Sequence, residues 1–161
     1  MSESTARAAI KAVLDGVSNI GQVHDYQRFS RNLSDYFDQF KTTISSANVI
    51  RGWTVALQSA DTEYVSPPGD NDYLVRRNYT YKVRGYIGHN DADATEKTAA
   101  ALVETVLNAL DSDTTLHNEQ AFFGQLISAQ LDVFELREFG NYLVHYAEIT
   151  QQVIDVANAG G

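Results

Sequence analysis

The chain has 161 residues, a formal net charge of −9, 43% hydrophobic residues and no cysteine. This composition predicts one ordered domain spanning residues 1–161, and the lack of cysteine excludes disulfides, zinc–thiolate sites and cysteine nucleophiles. No apolar run approaches the roughly 20 residues that span a bilayer, and the N-terminal segment lacks the layout of a signal peptide. We therefore expect no membrane association and synthesis in a cytosol.

The charge is unevenly distributed along the chain. Residues 111–161 contain eight carboxylates and a single cation, Arg137. Phosphate binding requires clustered cations, so this third of the chain is a poor candidate for binding nucleic acid. An acidic surface that repels DNA, or that meets a basic partner, is the better expectation.

The N-terminal region predicts two helices separated by a short extended piece at residues 23–26. Residues 5–17 place apolar side chains on one helical face, with Ser4 or Thr5 as the cap. Residues 30–43 place Leu33, Tyr36, Phe37 and Phe40 at helical spacing. Packing of this aromatic stripe against a sheet is the favoured interpretation, and a partner surface is the alternative.

Two long strands are predicted next, joined by a long loop. Residues 49–60 alternate, with Trp53, Val55 and Leu57 pointing inward, and residues 73–87 return as the second strand. Residues 61–72, DTEYVSPPGDND, contain strong turn punctuation and are predicted to form an extended hairpin loop. A loop of this length is either functional or a mobile surface excursion, and both interpretations stay open.

The second strand runs directly into the best-marked helix of the sequence. Tyr79, Tyr81, Val83 and Ile87 form its buried face, and a turn follows at residues 88–91. Asp93 and Glu96 have the spacing of a capping box, which predicts a helix starting there and continuing to Leu110.

The remaining residues predict a polar connection and a second hairpin. Residues 111–123 are read as the connection, 125–137 as the third strand, 142–156 as the fourth and 157–161 as a frayed tail. The predicted fold is α+β: a mostly antiparallel four-stranded sheet, made of two hairpins flanking a central helix, with one or two N-terminal helices packed on it.

Candidate chemistry is sparse. His89, Asp91 and Asp93 form an H-x-D-x-D cluster that could hold a hard cation, although a solvated turn and a helix cap explain the same residues. No two histidines have the spacing of a helical zinc pair, and His145 is interpreted as a satisfied, partly buried core residue. Neither a nucleophile elbow nor a phosphate-binding loop is present. We predict no catalytic residue, cofactor or metal site.

One basic stripe lies on the second predicted strand. Arg76, Lys82 and Arg84 share strand parity, so they lie on one face. Solvated surface residues are the plainer interpretation. An ion-paired subunit contact with the acidic C-terminal third, through Glu135 and Glu138, is the sharper one.

An ordered set of segments resembles a known family. The segments are the strand with Gly52-Trp53, RGYIG at residues 84–88, Asp91 before an Ala- and Val-rich helix, and FGNYLVHYAE at residues 139–148. Together they resemble the tail terminator (tail completion) proteins of long-tailed bacteriophages and related prophages, and the resemblance covers nearly the whole chain.

This resemblance implies a non-enzymatic virion protein that is assembled in the host cytoplasm and lies at the neck. Its subunits would form a homo-oligomeric ring, usually a hexamer, that stops polymerisation of the tail tube protein and meets the head–tail connector. DNA would pass through the lumen without specific binding. The resemblance also implies that the long loop contacts the tube, with Tyr64, Val65, Pro67, Pro68 and Asp70 as candidates.

Three alternatives remain from the sequence, and one of them is a host adaptor domain that stays a monomer and has no affinity for phage particles. The other two are as follows. One is another ring of the same junction, such as a head–tail joining protein. The other, from a different class, is a small metal-binding enzyme that uses His89, Asp91 and Asp93.

Overall fold

The computed structural model describes residues 1–28, 30, 32–65, 74–122, 124, 126–139 and 141–158. Within these residues the chain forms helices packed on a mixed, mostly antiparallel sheet. The helices are α1 (Glu3–Asp15), α2 (Leu33–Asp38), α3 (Thr95–Ser112) and α4 (Thr114–Phe122), with a 3₁₀ turn at Asp91–Asp93. The strands are β1 (Gln22–His24), β2 (Lys41–Ile44), β3 (Ala47–Val65), β4 (Leu74–Gly88), β5 (Gln130–Phe139) and β6 (Tyr142–Asn158).

The sheet is built around three long strands. Its order is β1-β3-β4-β6-β5, with the short β2 paired beside β1 on the same edge of β3. Among the strands of the described residues, only β1 runs parallel to its neighbour. The predicted α+β class and the mostly antiparallel sheet are confirmed, but the described sheet has six strands rather than four.

One face of the sheet, here called the front face, carries the main core. Helices α1, α3 and α4 cover it, and their apolar stripes meet the inward side chains of the three long strands. The fully buried side chains include Ile10, Leu14, Trp53, Val55, Tyr81, Val83, Val106, Leu110, Leu116 and Ile149. The predicted inward face of β4 is confirmed, since Tyr79, Tyr81, Val83 and Ile87 are all buried.

Glycines make room for aromatic rings on both faces of β3 and β4. Trp53 lies directly across from Gly85, and Gly52 lies across from Tyr86. A Cβ at Gly85 would lie 2.7 Å from the Trp53 ring, and a Cβ at Gly52 would lie 2.3 Å from the Phe40 ring. Neither aromatic ring has space for a side chain beneath it, so both positions require glycine for steric reasons.

The opposite face, here called the back face, carries a smaller aromatic cluster. Phe37 and Phe40 are buried against Tyr86, Val144 and Tyr146. Phe40 stacks on Tyr86 with ring centres 5.0 Å apart. The interpretation of the aromatic stripe as core is therefore confirmed for Phe37 and Phe40, while the side chain of Leu33 lies outside the described residues.

The second helix is much shorter than predicted. It ends at Asp38, and the chain then enters β2, which pairs with the start of β3. Phe40 lies between these two elements, and its carbonyl accepts a hydrogen bond from the Arg51 backbone at 2.8 Å. The β-branched run Thr42, Thr43 and Ile44 favours a strand over the helix that the aromatic spacing indicated.

The prediction of a long loop at residues 61–72 was also wrong for the first half of that range. Residues 61–65 continue β3 and pair with the start of β4, so that Tyr64 lies across from Val75. A bulge between Leu57 and Ser59 shifts the register before this extension. Pro67, Pro68 and Asp70 lie outside the described residues.

Three predicted boundaries of helices and strands differ from those in the structure. Helix α1 begins at Glu3, and its cap is Ser2, whose hydroxyl accepts a hydrogen bond from the Thr5 backbone. The predicted capping box is wrong, because Ala94 precedes α3 in a left-handed conformation (φ 49°) without a side-chain cap. Most of residues 111–123 is helical, in the end of α3 and in α4, and β5 begins only at Gln130.

The N-terminus is tied to the last strand. Its ammonium group forms an ion pair with Asp155, and the Tyr81 hydroxyl donates a hydrogen bond to the Glu3 carbonyl at 2.9 Å. No helix in the described part of the chain is both long and apolar enough to cross a membrane.

The substitution Gly85→Ala tests the contact between Trp53 and β4. We expect it to lower the free energy of unfolding by about 1–3 kcal/mol, because the added methyl group overpacks a rigid buried ring. Gly88→Ala is the matched control on the same strand, since its Cβ would meet Ile50 at an ordinary 3.4 Å. Urea unfolding followed by Trp53 fluorescence measures the free energy of unfolding of both variants. Equal values for the two would contradict the proposed steric role of Gly85.

Candidate functional site

A network of charged and hydroxyl side chains lies on the back face, where β4, β6 and β5 run side by side. Arg84 Nε donates to Glu148 Oε2 at 2.9 Å, and Lys82 Nζ lies 3.2 Å from Glu148 Oε1. The Lys82 ammonium group also donates to Asp132 Oδ2 at 2.8 Å and to the Thr150 hydroxyl at 2.9 Å. These side chains are positioned by strand register, since Arg84 faces Glu148 and Lys82 faces Thr150 across the β4–β6 pair.

Glu148 is the centre of this network. Burial alone would raise its pKa, but hydrogen bonds from Arg84, Tyr146 and Lys82 outweigh burial and lower the pKa to about 2. The Tyr146 hydroxyl donates to Glu148 Oε2 at 2.9 Å, which joins the ionic network to the back-face aromatic cluster. The carboxylate is therefore held ionised with three donors around it.

The residues predicted to form the basic stripe are engaged within their own chain. Lys82 and Arg84 contact Asp132 and Glu148, and Arg76 forms an ion pair with Glu63 on β3. The predicted acidic partners lie elsewhere: Glu135 forms an ion pair with Arg137, and Glu138 is exposed. An ion-paired subunit contact through these residues stays a prediction, and the structure assigns Lys82 and Arg84 partners inside the subunit.

Apolar side chains are exposed at both edges of the sheet. On the front face of the β5 edge, Leu131, Leu136 and Leu143 are exposed where the helical layer ends, and Leu136 is 49% accessible. At the β3 edge, Leu57 and Tyr64 are exposed, and Tyr64 is 75% accessible. The prediction that Leu57 points into the core was wrong, because Leu57 lies beside the bulge at the rim of the sheet.

These two edges are defined here as the β5 edge (Gln130–Phe139 with Leu143) and the β3 edge (residues 55–65). Among the described residues, no further strand pairs with the outer side of either. Sequence alternation alone did not reveal them, since a strand's position in the sheet order is not encoded in its own period.

The predicted H-x-D-x-D cluster is arranged differently from expectation. His89 contacts His145 of β6, with 3.2 Å between His89 Nδ1 and His145 Nε2. Asp93 accepts a hydrogen bond from the Asn90 side chain, and the side chain of Asp91 lies outside the described residues. Within the described residues, no group of three or more histidine and carboxylate side chains has the arrangement of a metal site.

The turn that carries His89 borders a cleft of about 510 Å³. The cleft lies between the start of β3, the end of β4 and the turn into β6, and its lining includes Arg51, His89, Asp93 and Thr95. His145 lies just behind His89 and is buried, which confirms its interpretation as a core histidine. Its Nε2 atom also lies 3.1 Å from the Thr95 hydroxyl.

Comparison with protein-family models and with curated proteins gave no match to this chain. The functional inference therefore depends on the residues themselves.

The ion network makes stability depend on pH. Because folding lowers the pKa of Glu148 from 4.5 to about 2, its contribution is present above the unfolded pKa and is lost as pH falls toward the folded pKa. Allowing for solvent screening of a partly exposed group, we expect a loss of about 1–2 kcal/mol between about pH 5 and pH 2.

Glu148→Gln should lack this part of the acid dependence, and its free energy of unfolding should be lower than that of the wild type near neutral pH. Glu104→Gln, at an exposed position of α3, is the control and should keep the wild-type profile. Urea unfolding at a series of pH values measures the free energy of unfolding of the wild type, Glu148→Gln and Glu104→Gln. A wild-type profile for Glu148→Gln would contradict the role given to the network.

Proposed function

We propose that this protein is a structural subunit of a bacteriophage virion that forms a ring at the head-proximal end of the tail tube. The ring stops polymerisation of the tube and offers a surface for head attachment. The observation that carries the proposal is the pair of free sheet edges with exposed apolar side chains on opposite sides of one subunit. The sequence segments that resemble tail terminators support it, since they lie on β3, β4 and β6, at the end of β5 and just before α3.

Two different edges suit a ring. If the β5 edge of one subunit contacts the β3 edge of the next, the interface is heterologous, and such an interface closes into a ring when the rotation between subunits divides a full turn. Leu131, Leu136 and Leu143 would then meet Leu57, which removes apolar surface from water on both sides. Strand pairing would also satisfy the free backbone groups of both edges.

The charges at these edges oppose association in solution. Glu138 is exposed at the β5 edge and Asp61 at the β3 edge. Two further carboxylates there, Glu135 and Glu63, are paired with arginines of the same subunit. Like charges that face each other across a contact cost free energy, and salt screens this repulsion. We therefore expect free subunits to associate weakly until a tail tube aligns them, which prevents rings from forming before the tube is complete.

The tube contact is assigned to the end of the β3–β4 hairpin. Tyr64 and Val65 end β3 at residues that the resemblance implicates, and Tyr64 presents a large aromatic ring to solvent. Exposed aromatic side chains are enriched in protein interfaces, because one ring buries much area with few rotatable bonds. Pro67, Pro68 and Asp70 belong to the same proposal.

The acidic C-terminal third is assigned to a lumen through which DNA passes without binding. Part of its charge is neutralised inside the subunit, since Asp132 and Glu148 pair with β4 and Asp155 pairs with the N-terminus. An exposed carboxylate such as Asp111 is left to repel phosphate. In this proposal the protein is located in the virion neck and is assembled in the host cytoplasm.

Edge substitutions test the ring directly. Leu136→Glu and Leu57→Glu should each reduce ring formation by at least about tenfold, because an unpaired carboxylate would be buried in the subunit contact. When the two variants are mixed, the intact β3 edge of Leu136→Glu can contact the intact β5 edge of Leu57→Glu. The mixture should therefore give dimers that cannot add further subunits. Negative-stain microscopy and light scattering, at high protein concentration and high salt, distinguish monomers, dimers and rings.

The control is Ala101→Glu, an exposed position of α3 that belongs to neither edge. It should form rings as the wild type does. Wild-type protein that stays monomeric in high salt and with tail tubes would contradict the ring itself. Caps on portal-side connectors instead of tubes would identify a head–tail joining ring.

Tyr64→Ala separates tube binding from ring formation. We expect it to weaken capping of tail tubes by about tenfold or more, since a buried aromatic side chain is typical of interface hot spots. The Tyr64→Ala variant should still form rings in high salt, because Leu57 remains in the subunit contact. Tyr26→Ala is the control, because Tyr26 is also exposed but lies outside the hairpin. Equal capping by both variants would exclude Tyr64 from the tube contact.

A further inference from the structure

The facing imidazole rings of His89 and His145 have a geometry that the fold and the ring proposal do not require. His89 directly follows β4, and its backbone amide donates to the Leu143 carbonyl at 2.9 Å. His145 lies on β6 opposite Ile87 and is covered by the ring of Phe134. Both rings are therefore held by neighbouring strands of the sheet.

The spacing of the two nitrogens fits a shared metal ion. His89 Nδ1 and His145 Nε2 are 3.2 Å apart. Two imidazole nitrogens that each lie about 2.0–2.1 Å from a tetrahedral zinc ion are about 3.3–3.4 Å apart. The observed pair needs almost no movement to reach that separation.

The orientation of the rings agrees with this spacing. The ring centres are 5.0 Å apart and the planes meet at 67°. A straight N–H···N hydrogen bond of the same length would hold the centres about 5.5 Å apart, since each centre lies about 1.1–1.2 Å from its nitrogens. The shorter observed separation means that the rings meet at an angle, as rings do when both nitrogens point at one ion.

We propose that His89 and His145 form a binding site for a divalent metal ion with tetrahedral preference, such as zinc. The two histidines supply two of the four ligands. The remaining positions are filled by water from the cleft that His89 lines. Without the ion, the same nitrogens share a hydrogen bond.

The turn beside the two histidines is held by hydrogen bonds between Asn90 and Thr95. The backbone amide of Asn90 donates to the Thr95 hydroxyl at 2.8 Å, which fixes that hydroxyl beside His145 Nε2. A bound ion would join the turn between β4 and α3 to β6.

Titration calorimetry with zinc chloride tests the proposal on the whole chain after removal of metal by a chelator. We expect the wild type to bind one equivalent. His89→Gln should weaken binding by at least about tenfold, because one of two protein ligands is lost. His89 is only partly buried, so this variant is expected to fold, and circular dichroism checks that it does.

His24→Gln is the matched control, since His24 contacts the Gln39 carbonyl instead of another histidine. It should bind zinc as the wild type does. Cobalt supplies a second readout, because a tetrahedral site gives an intense visible absorption that His89→Gln should lose. The proposal is overturned if the wild type binds no stoichiometric metal, or if His24→Gln and His89→Gln behave alike. These measurements use dilute subunits and are independent of ring formation.

Discussion

The fold depends on the close fit between two dipeptides on neighbouring strands, Gly52-Trp53 and Gly85-Tyr86. Antiparallel pairing places each glycine opposite the aromatic residue of the other strand, so the Trp53 ring covers Gly85 on the front face while Tyr86 faces Gly52 on the back. Side chains alternate between faces, so a slip of one residue would send both aromatic rings to the wrong face. The register of β3 and β4 is thereby fixed, and the two cores of the protein are placed on opposite faces of one sheet.

The same register determines which surfaces stay uncovered. The front face is wide enough for three helices, but their layer ends before the β5 edge and leaves its leucines exposed. On the back face, the segment from α2 to β2 covers only the aromatic cluster around Tyr86, and beside it Lys82 and Arg84 are neutralised by Asp132 and Glu148. Five exposed large apolar side chains therefore lie at the two edges of the sheet, where the proposed ring contact would form.

The sequence correctly predicted secondary structure and burial wherever the local periodicity of apolar residues matched the face that is buried. The inward face of β4, the apolar stripe of α3 and the burial of Phe37 and Phe40 follow from spacing alone. The sequence-based prediction was wrong where pairing with a distant strand determines the structure. Residues 41–44 form a strand because β3 lies beside them. Residues 61–65 extend β3 because β4 and β6 continue alongside. The contact of His89 with His145 joins residues 56 apart in the sequence. No spacing rule encodes such a contact, because strand order creates it.

If the proposed function is correct, this subunit ends a polymer and needs two opposing properties. It must be able to contact its own copies, and it must not do so before the polymer offers an end to bind. Apolar side chains at both edges supply attraction over short distances, while the carboxylates beside them repel over roughly a Debye length, about 8–10 Å at physiological ionic strength. In the proposed ring, subunits that meet freely would encounter the repulsion first, whereas subunits aligned on a tube would be held within the range of the apolar contact. The tube would then supply the effective concentration that overcomes the repulsion, and assembly would be confined to the tube end.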